Sequence, residues 1–401
     1  MRLTLLFIAL ISYSSLVLST NVSSTRDSLN GEFSFVEGNL LSAKIKADFG
    51  QIDNFLRSNT NKQKTNFAEL SPELFIQTQS EGSLLQLQAK ANFLTFDEFS
   101  NDDHYNFSLL SKYHLRFAQS QKVFLTGFIA DNYEYRGTGL SLGKPNSLTE
   151  GDTRRDQFLN AGYLYGHQDS LARAKILMGY RDFSYLTRKN ITKPLTYSSA
   201  YLQGNFDYLI SGKTYFSSKL QHENVSYERN ANLERKQYLA LAGVKWESTE
   251  LTQLHVLLGY EKTNFANKVF EDNNRFAWQI NMLWNPLARI RFNINSGSEI
   301  KDSFRLANSV SFANSYGLGL SYDFNQSLLI NINGKYLDED IVGIDNKIKE
   351  THFETTMRLQ YQWRHWLSVF AQYKIDNFDS TININSYDLN ISSLGVVVTF
   401  D

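Results

Sequence analysis

Eight basic residues, Arg173, Lys175, Arg181, Arg289, Arg291, Arg358, Arg364 and Lys374, are the strongest candidates for contact with an anionic ligand. Guanidinium groups bind carboxylate and phosphate through paired hydrogen bonds, so a set sharing one surface could guide a charged chain. The competing reading is structural: such cations pair with nearby acids, Glu354 and Asp376 among them, and stiffen whatever wall carries them. Catalytic patterns are thinner. Asn101-Asp102-Asp103-His104 sets carboxylates beside an imidazole, which can activate water, but it reads as a solvated loop. The same run with Asp97 and Glu98, and Asp338-Glu339-Asp340, could attract calcium, yet neither has the fixed ligand spacing of a recognisable site. The histidines show no metal-binding spacing, and neither a serine elbow nor a Ser/His pair on one strand face is expected. The sequence therefore predicts no enzyme, no metal and no cofactor.

The elements that position these cations follow from composition and period. The chain has 401 residues with Lys+Arg 40 against Asp+Glu 41, a balance without the basic excess that nucleic-acid partners need. Zero cysteines exclude disulfides, thiolate zinc and a lipidated cysteine. Residues 1–19 read as a signal peptide, with Arg2 before an apolar stretch from Leu3 to Ile11 and cleavage near Ser19. Residues 20–40 form a polar segment, periplasmic or folded as a plug. Residues 41–401 are built from one kind of unit, 10 to 15 residues of alternating apolar and polar side chains, which is the period of a strand with two different faces. Ile290, Phe292 and Ile294 share one face against Arg289, Arg291 and Asn293; Phe353, Met357, Leu359, Tyr361 and Trp363 oppose Glu354, Arg358, Gln362 and Arg364.

Tight turns and longer polar loops largely take turns along the chain. Ser80 to Ser83, Gln119 to Gln121 and Arg364-His365 are short, whereas Arg136 to Arg155, Phe265 to Asn274, Ser298 to Asn308 and Leu337 to Thr351 are long. This is the plan of an up-and-down antiparallel β-barrel spanning the outer membrane of a Gram-negative bacterium, and an all-β fold of about 18 strands, with 16 as the alternative, is expected. Phe353 to Trp363 would cover about 33 Å, or about 25 Å of membrane at a tilt of roughly 40°. Trp246, Trp284, Trp363 and Trp366 fall at tight turns and predict one aromatic girdle; Phe276, Tyr336 and Phe353 predict the other. A large soluble sandwich or propeller would need shorter strands or a blade repeat. Leu394, Val396, Val398 and Phe400 alternate to the end and resemble the C-terminal signal read by the barrel-insertion machinery, although Asp401 follows. On this plan the eight cations face the lumen, and the partners are outer-membrane lipid and lipopolysaccharide.

Sharper motifs lie in the last 160 or so residues. Lys245-Trp246-Glu247-Ser248-Thr249-Glu250-Leu251, continuing through Leu258-Gly259-Tyr260 and Trp284-Asn285-Pro286-Leu287, resembles the turn-and-strand units of the putative beta-barrel porin type 2 family. Leu359 to Ser368, Tyr373-Lys374, Ser380 and Tyr387-Asp388-Leu389-Asn390 are similar to that family's closing hairpins. The resemblance implies a non-enzymatic part in export or surface assembly of an exopolysaccharide or capsule, as in biofilm loci, with a polysaccharide chain and periplasmic export proteins as partners. The alternative function is a porin for small solutes or oligosaccharides, and an outer-membrane hydrolase ranks third.

Overall fold

A computed structural model describes residues 39–167, 170–249, 251–267, 269–302, 309–343 and 347–400. The expected signal peptide and most of the polar segment to residue 40 lie outside the described residues, as does Asp401. Eighteen antiparallel strands form one closed sheet. They are β1 (Leu40–Ile52), β2 (Thr65–Ser80), β3 (Ser83–Phe96), β4 (His104–Ala118), β5 (Gln121–Glu134) and β6 (Asp152–Tyr165). There follow β7 (Ala172–Tyr185), β8 (Tyr197–Ser211), β9 (Thr214–Tyr227), β10 (Arg235–Thr249), β11 (Thr252–Phe265) and β12 (Asn273–Leu287). The last are β13 (Ile290–Asp302), β14 (Ser309–Asp323), β15 (Leu328–Gly343), β16 (Lys347–Arg364), β17 (Leu367–Ser380) and β18 (Tyr387–Phe400).

Each strand pairs with its neighbours in sequence, and β1 closes on β18 from Ala43 opposite Phe400 to Ile52 opposite Ile391. Closure leaves the sheet without a free edge strand, which a wall in lipid requires. The expected alternation is present: Leu41, Ile45 and Phe49 on β1, or Met357, Leu359, Tyr361 and Trp363 on β16, face outward and are exposed, while Lys46, Asp48, Glu354 and Arg358 face in. Trp246, Trp284, Trp363 and Trp366 lie exposed at the short-turn rim, and Phe276, Tyr336 and Phe353 face outward towards the other end. Leu394, Val396, Val398 and Phe400 form the outer face of β18.

Two expected loops are shorter than their sequences suggest. Strand pairing runs through Ser298 to Asp302 and through Leu337 to Gly343, resuming at Lys347. Beyond the lipid band a strand has no apolar face to present, so its sequence loses the alternation while its ladder continues.

The described residues form no single core; the two larger clusters of buried apolar side chains lie at the long-loop end, inside the barrel, and two smaller ones lie lower in the wall. One cluster joins Phe183 and Tyr185 of β7, Leu195, Tyr197 of β8, Val225 and Tyr227 of β9, Leu233, Phe265 of β11, Phe270 and Val310 of β14. A second joins Phe55 and Leu56 of the β1–β2 loop to inward residues of β1, β2, β3, β17 and β18.

Candidate pore and its capped mouth

The first cluster exists because one hairpin leaves the wall. The β12–β13 ladder ends at Gln279 opposite Gly297, and above it only the Ser298 hydroxyl accepts the Trp278 amide, at 3.1 Å. Beyond that point Ile300, Asp302, Val310 and Phe312, on the face that lower down meets lipid, lie against inward residues of β7 to β11. Arg235 of β10 holds Asp302 at 2.6 Å, and the Tyr227 hydroxyl also donates to Asp302. The end of the β13–β14 hairpin is thus folded into the lumen. Both of its faces are covered, as Ser309, Val310, Ser311 and Ala313 show.

The second cluster closes the opposite side of the mouth. Phe55 is stacked on Phe99 at 4.3 Å and touches Phe96 and Tyr135. Arg57 turns its guanidinium over the Tyr135 ring at 4.4 Å and donates to the Phe55 carbonyl. Burial pushes the Tyr135 hydroxyl up to about 12, so the ring stays neutral beside this cation. The β5–β6 loop spans the two clusters, with Leu140 on the first and Leu142 on the second. It passes so near the β1–β2 loop that a Cβ on Gly137, at φ +78°, would stand 2.0 Å from the Leu56 carbonyl oxygen.

Within the run from Asn101 to His104, Asn101 and Asp103 are exposed as a solvated loop would be, but Asp102 is not. Asp102 is completely buried and accepts from Arg136 Nε and Nη2 at 3.0 and 2.5 Å and from the Tyr133 hydroxyl at 2.7 Å. His104 faces the Asp102 carbonyl rather than its carboxylate and is stacked on Tyr133 at 4.0 Å. The Asp102 carboxylate is occupied by structural donors, so the pair is arranged to hold a loop and not to activate water. A serine-elbow string does occur, against expectation, at Gly139-Leu140-Ser141-Leu142-Gly143. It makes no nucleophile: the buried Ser141 hydroxyl donates to the Thr138 carbonyl and accepts the Gly137 amide within the loop.

The sequence-predicted cations divide by what surrounds them. Arg173 lies 3.2 Å from Asp207 and 3.7 Å from Glu247, its guanidinium over the Tyr215 ring. Arg181 makes two bonds to Asp156, Arg291 meets Asp323 at 3.2 Å, and Lys374 meets Glu354 at 2.8 Å. Lys175 rests over the Phe124 ring. Arg358 has no carboxylate within ion-pair distance among the described residues; it lies 3.8 Å over the Phe370 ring with a buried Nε that meets no acceptor. Arg289 sits in the exposed turn after β12, outside the wall, and Arg364 is exposed at the short-turn rim. His352, Glu354 and Asp376 bring three potential ligand atoms within 4.8 Å. The Lys374 ammonium lies against both carboxylates, so a cationic partner is already in place.

Sequence reasoning missed the hairpin's anchors, Asp302, Arg235 and Tyr227, which no local pattern marks. It also passed over Lys112, His114 and Arg116 of β4 and Lys122 of β5, whose alternation with Tyr113 and Leu115 puts them on the inward face.

A closed barrel with an apolar outer belt, aromatic rims and a charged lining defines the class: a porin-like outer-membrane barrel. Residues 197–400, from β8 to the last strand, match the family described as Putative beta-barrel porin 2, and the chain belongs to that family. In outer-membrane barrels the longer loops lie on the extracellular side. No curated protein matches the chain. Among solved structures, OccK5 (OpdH) of Pseudomonas aeruginosa is 12% identical with a TM-score of 0.47, over 92% of this chain and 99% of that one. The outer membrane protein opdK of the same species is 10% identical with a TM-score of 0.45, over 92% and 100%. The siderophore receptor PirA of Acinetobacter baumannii is 7% identical with a TM-score of 0.46, over 90% and 81%.

Proposed function

We propose that this barrel is a non-enzymatic porin for small polar solutes or oligosaccharides. The observation that carries the reading is the β13–β14 end laid inside the wall and anchored through Asp302 to Arg235 and Tyr227. An 18-strand ring left bare is wide enough for an aqueous channel; an inserted hairpin and the Phe55 loop narrow its mouth to a scale that suits small molecules. The polysaccharide export that the family resemblance implies is favoured less, because a polymer in transit would need both buried clusters to part.

The test is conductance in a planar bilayer together with liposome swelling by sugars of increasing size. Folded protein should give stepwise channels and swelling that falls off sharply above small sugars. Asp302→Ala should raise conductance and admit larger sugars. Folded protein that neither conducts nor passes any sugar would overturn the reading; surface polysaccharide lost in a deletion strain would then favour export.

A further inference from the structure

Cations on the lipid-facing side of the wall are few, and in the extracellular halves most are already paired. Arg155 of β6 meets Asp131 at 2.7 Å, and Lys347 and Lys349 of β16 meet Asp340 and Asp338. Lys236 of β10 and Lys262 of β11 differ. Both are exposed, and neither has an acidic partner among the described residues. Lys236 is opposite Asn264 and Lys262 is opposite Tyr238, which makes the two lysines diagonal neighbours. Such positions stand about 7–8 Å apart, close enough for both ammonium groups to reach one phosphate.

Directly below them the wall is hollowed. Along one row Ile176, Gly204, Leu220, Ala240 and Tyr260 lie side by side on β7 to β11, large residues alternating with small. A Cβ on Gly204 would meet nothing within 4 Å. The resulting furrow has a volume of ≈ 870 Å³ and is walled by exposed Leu202, Leu220 and Tyr260. Between furrow and lysines His222 is stacked on Tyr238 at 4.6 Å, with an Nδ1 that lacks a hydrogen-bond partner.

We infer that this face binds one lipopolysaccharide molecule of the outer leaflet, its acyl chains in the Gly204 and Ala240 furrow and a lipid A phosphate between Lys236 and Lys262. Charge complementarity selects this occupant: two unpaired cations above an apolar furrow, just beyond the Tyr260 and Phe276 belt, match an anionic headgroup on several chains. Asn224, Asn264 and Asn274, outward at the same height, offer donors and acceptors to its sugars.

The full chain, folded in detergent, is mixed with diphosphoryl lipid A, dephosphorylated lipid A or phosphatidylglycerol, and retained lipid is counted by native mass spectrometry. Diphosphoryl lipid A should be retained over both others. The double variant K236Q/K262Q should bind it about thirtyfold more weakly, about a factor of five for each lost cation. A second variant, G204L/A240L, keeps the lysines and fills the furrow, and should also lose lipid. Heat-dependent gel migration checks that each variant is folded, and sugar permeation should stay at the wild-type level. Retention unchanged in K236Q/K262Q, or phosphatidylglycerol held as firmly as lipid A, would overturn the assignment.

Discussion

Asp102 and Arg136 are 34 residues apart and meet where both are buried. Removing one member of a buried pair leaves the other charge unsolvated, at a cost of about 3–5 kcal/mol. Asp102→Ala should therefore loosen the β5–β6 loop while the strands stay intact. Limited proteolysis would find new cleavage between 136 and 151, and an unchanged digestion pattern would argue against the assignment. Gly137→Ala tests the same contact from the backbone side. Positive φ and the Leu56 carbonyl both exclude a Cβ, so a loss of more than about 1 kcal/mol is expected, read as earlier loop cleavage on warming. Little of this network was legible beforehand. Asp102 and His104 were visible as a chemical pair, but their meaning depends on Arg136 and Tyr133, which only the folded loop brings near. Arg358 is a contrasting case: alternation places it on the lumenal face, and only the fold shows that no carboxylate among the described residues comes within ion-pair distance of it. Replacing it by Gln removes one lumenal positive charge and should shift the channel's selectivity towards cations, measured as a shift of reversal potential in a salt gradient.

Strands were the most legible level, because lipid on one side and polar lining on the other force a two-residue period wherever the chain crosses the membrane. Short turns near Ser80, Gln119 and Arg364 stand where their turn residues and flanking aromatics suggest. The signal fails above the membrane. Ser298 to Asp302 reads as loop, yet it is the part of β13 that enters the mouth with Ile300 and Asp302 on its docking face. Phe55 and Leu56 were an apolar pair in an otherwise polar loop, a cue to inward folding that alternation cannot supply. If the hairpin is held by apolar burial as well as by Asp302, then Val310→Asp should free it while the β13–β14 ladder persists. The expected outcome is larger conductance with unchanged strand content by circular dichroism; equal conductance would show that the hairpin does not limit the path.

At the scale of the whole molecule, near-neutral charge conceals a sorting: most described lumenal ions are paired, apolar residues form a belt, and on the outer face Lys236 and Lys262 stand without an acidic partner among the described residues. The sheet has no free edge in the lipid band, which is why such a barrel should run as a compact species in unheated detergent gels and shift only after boiling. One joint is different. Where β12 and β13 separate above Gln279 and Gly297, backbone amides on the facing edges lose their ladder partners. Amide hydrogen exchange should therefore open first at Asn274 and Phe276 on β12, whose amides point to the β13 side, while the matching heights of β15 and β16 stay protected for far longer. A ring that is uniform by strand count thus carries a built-in point of first opening, set by the same departure that supplies its narrowed mouth.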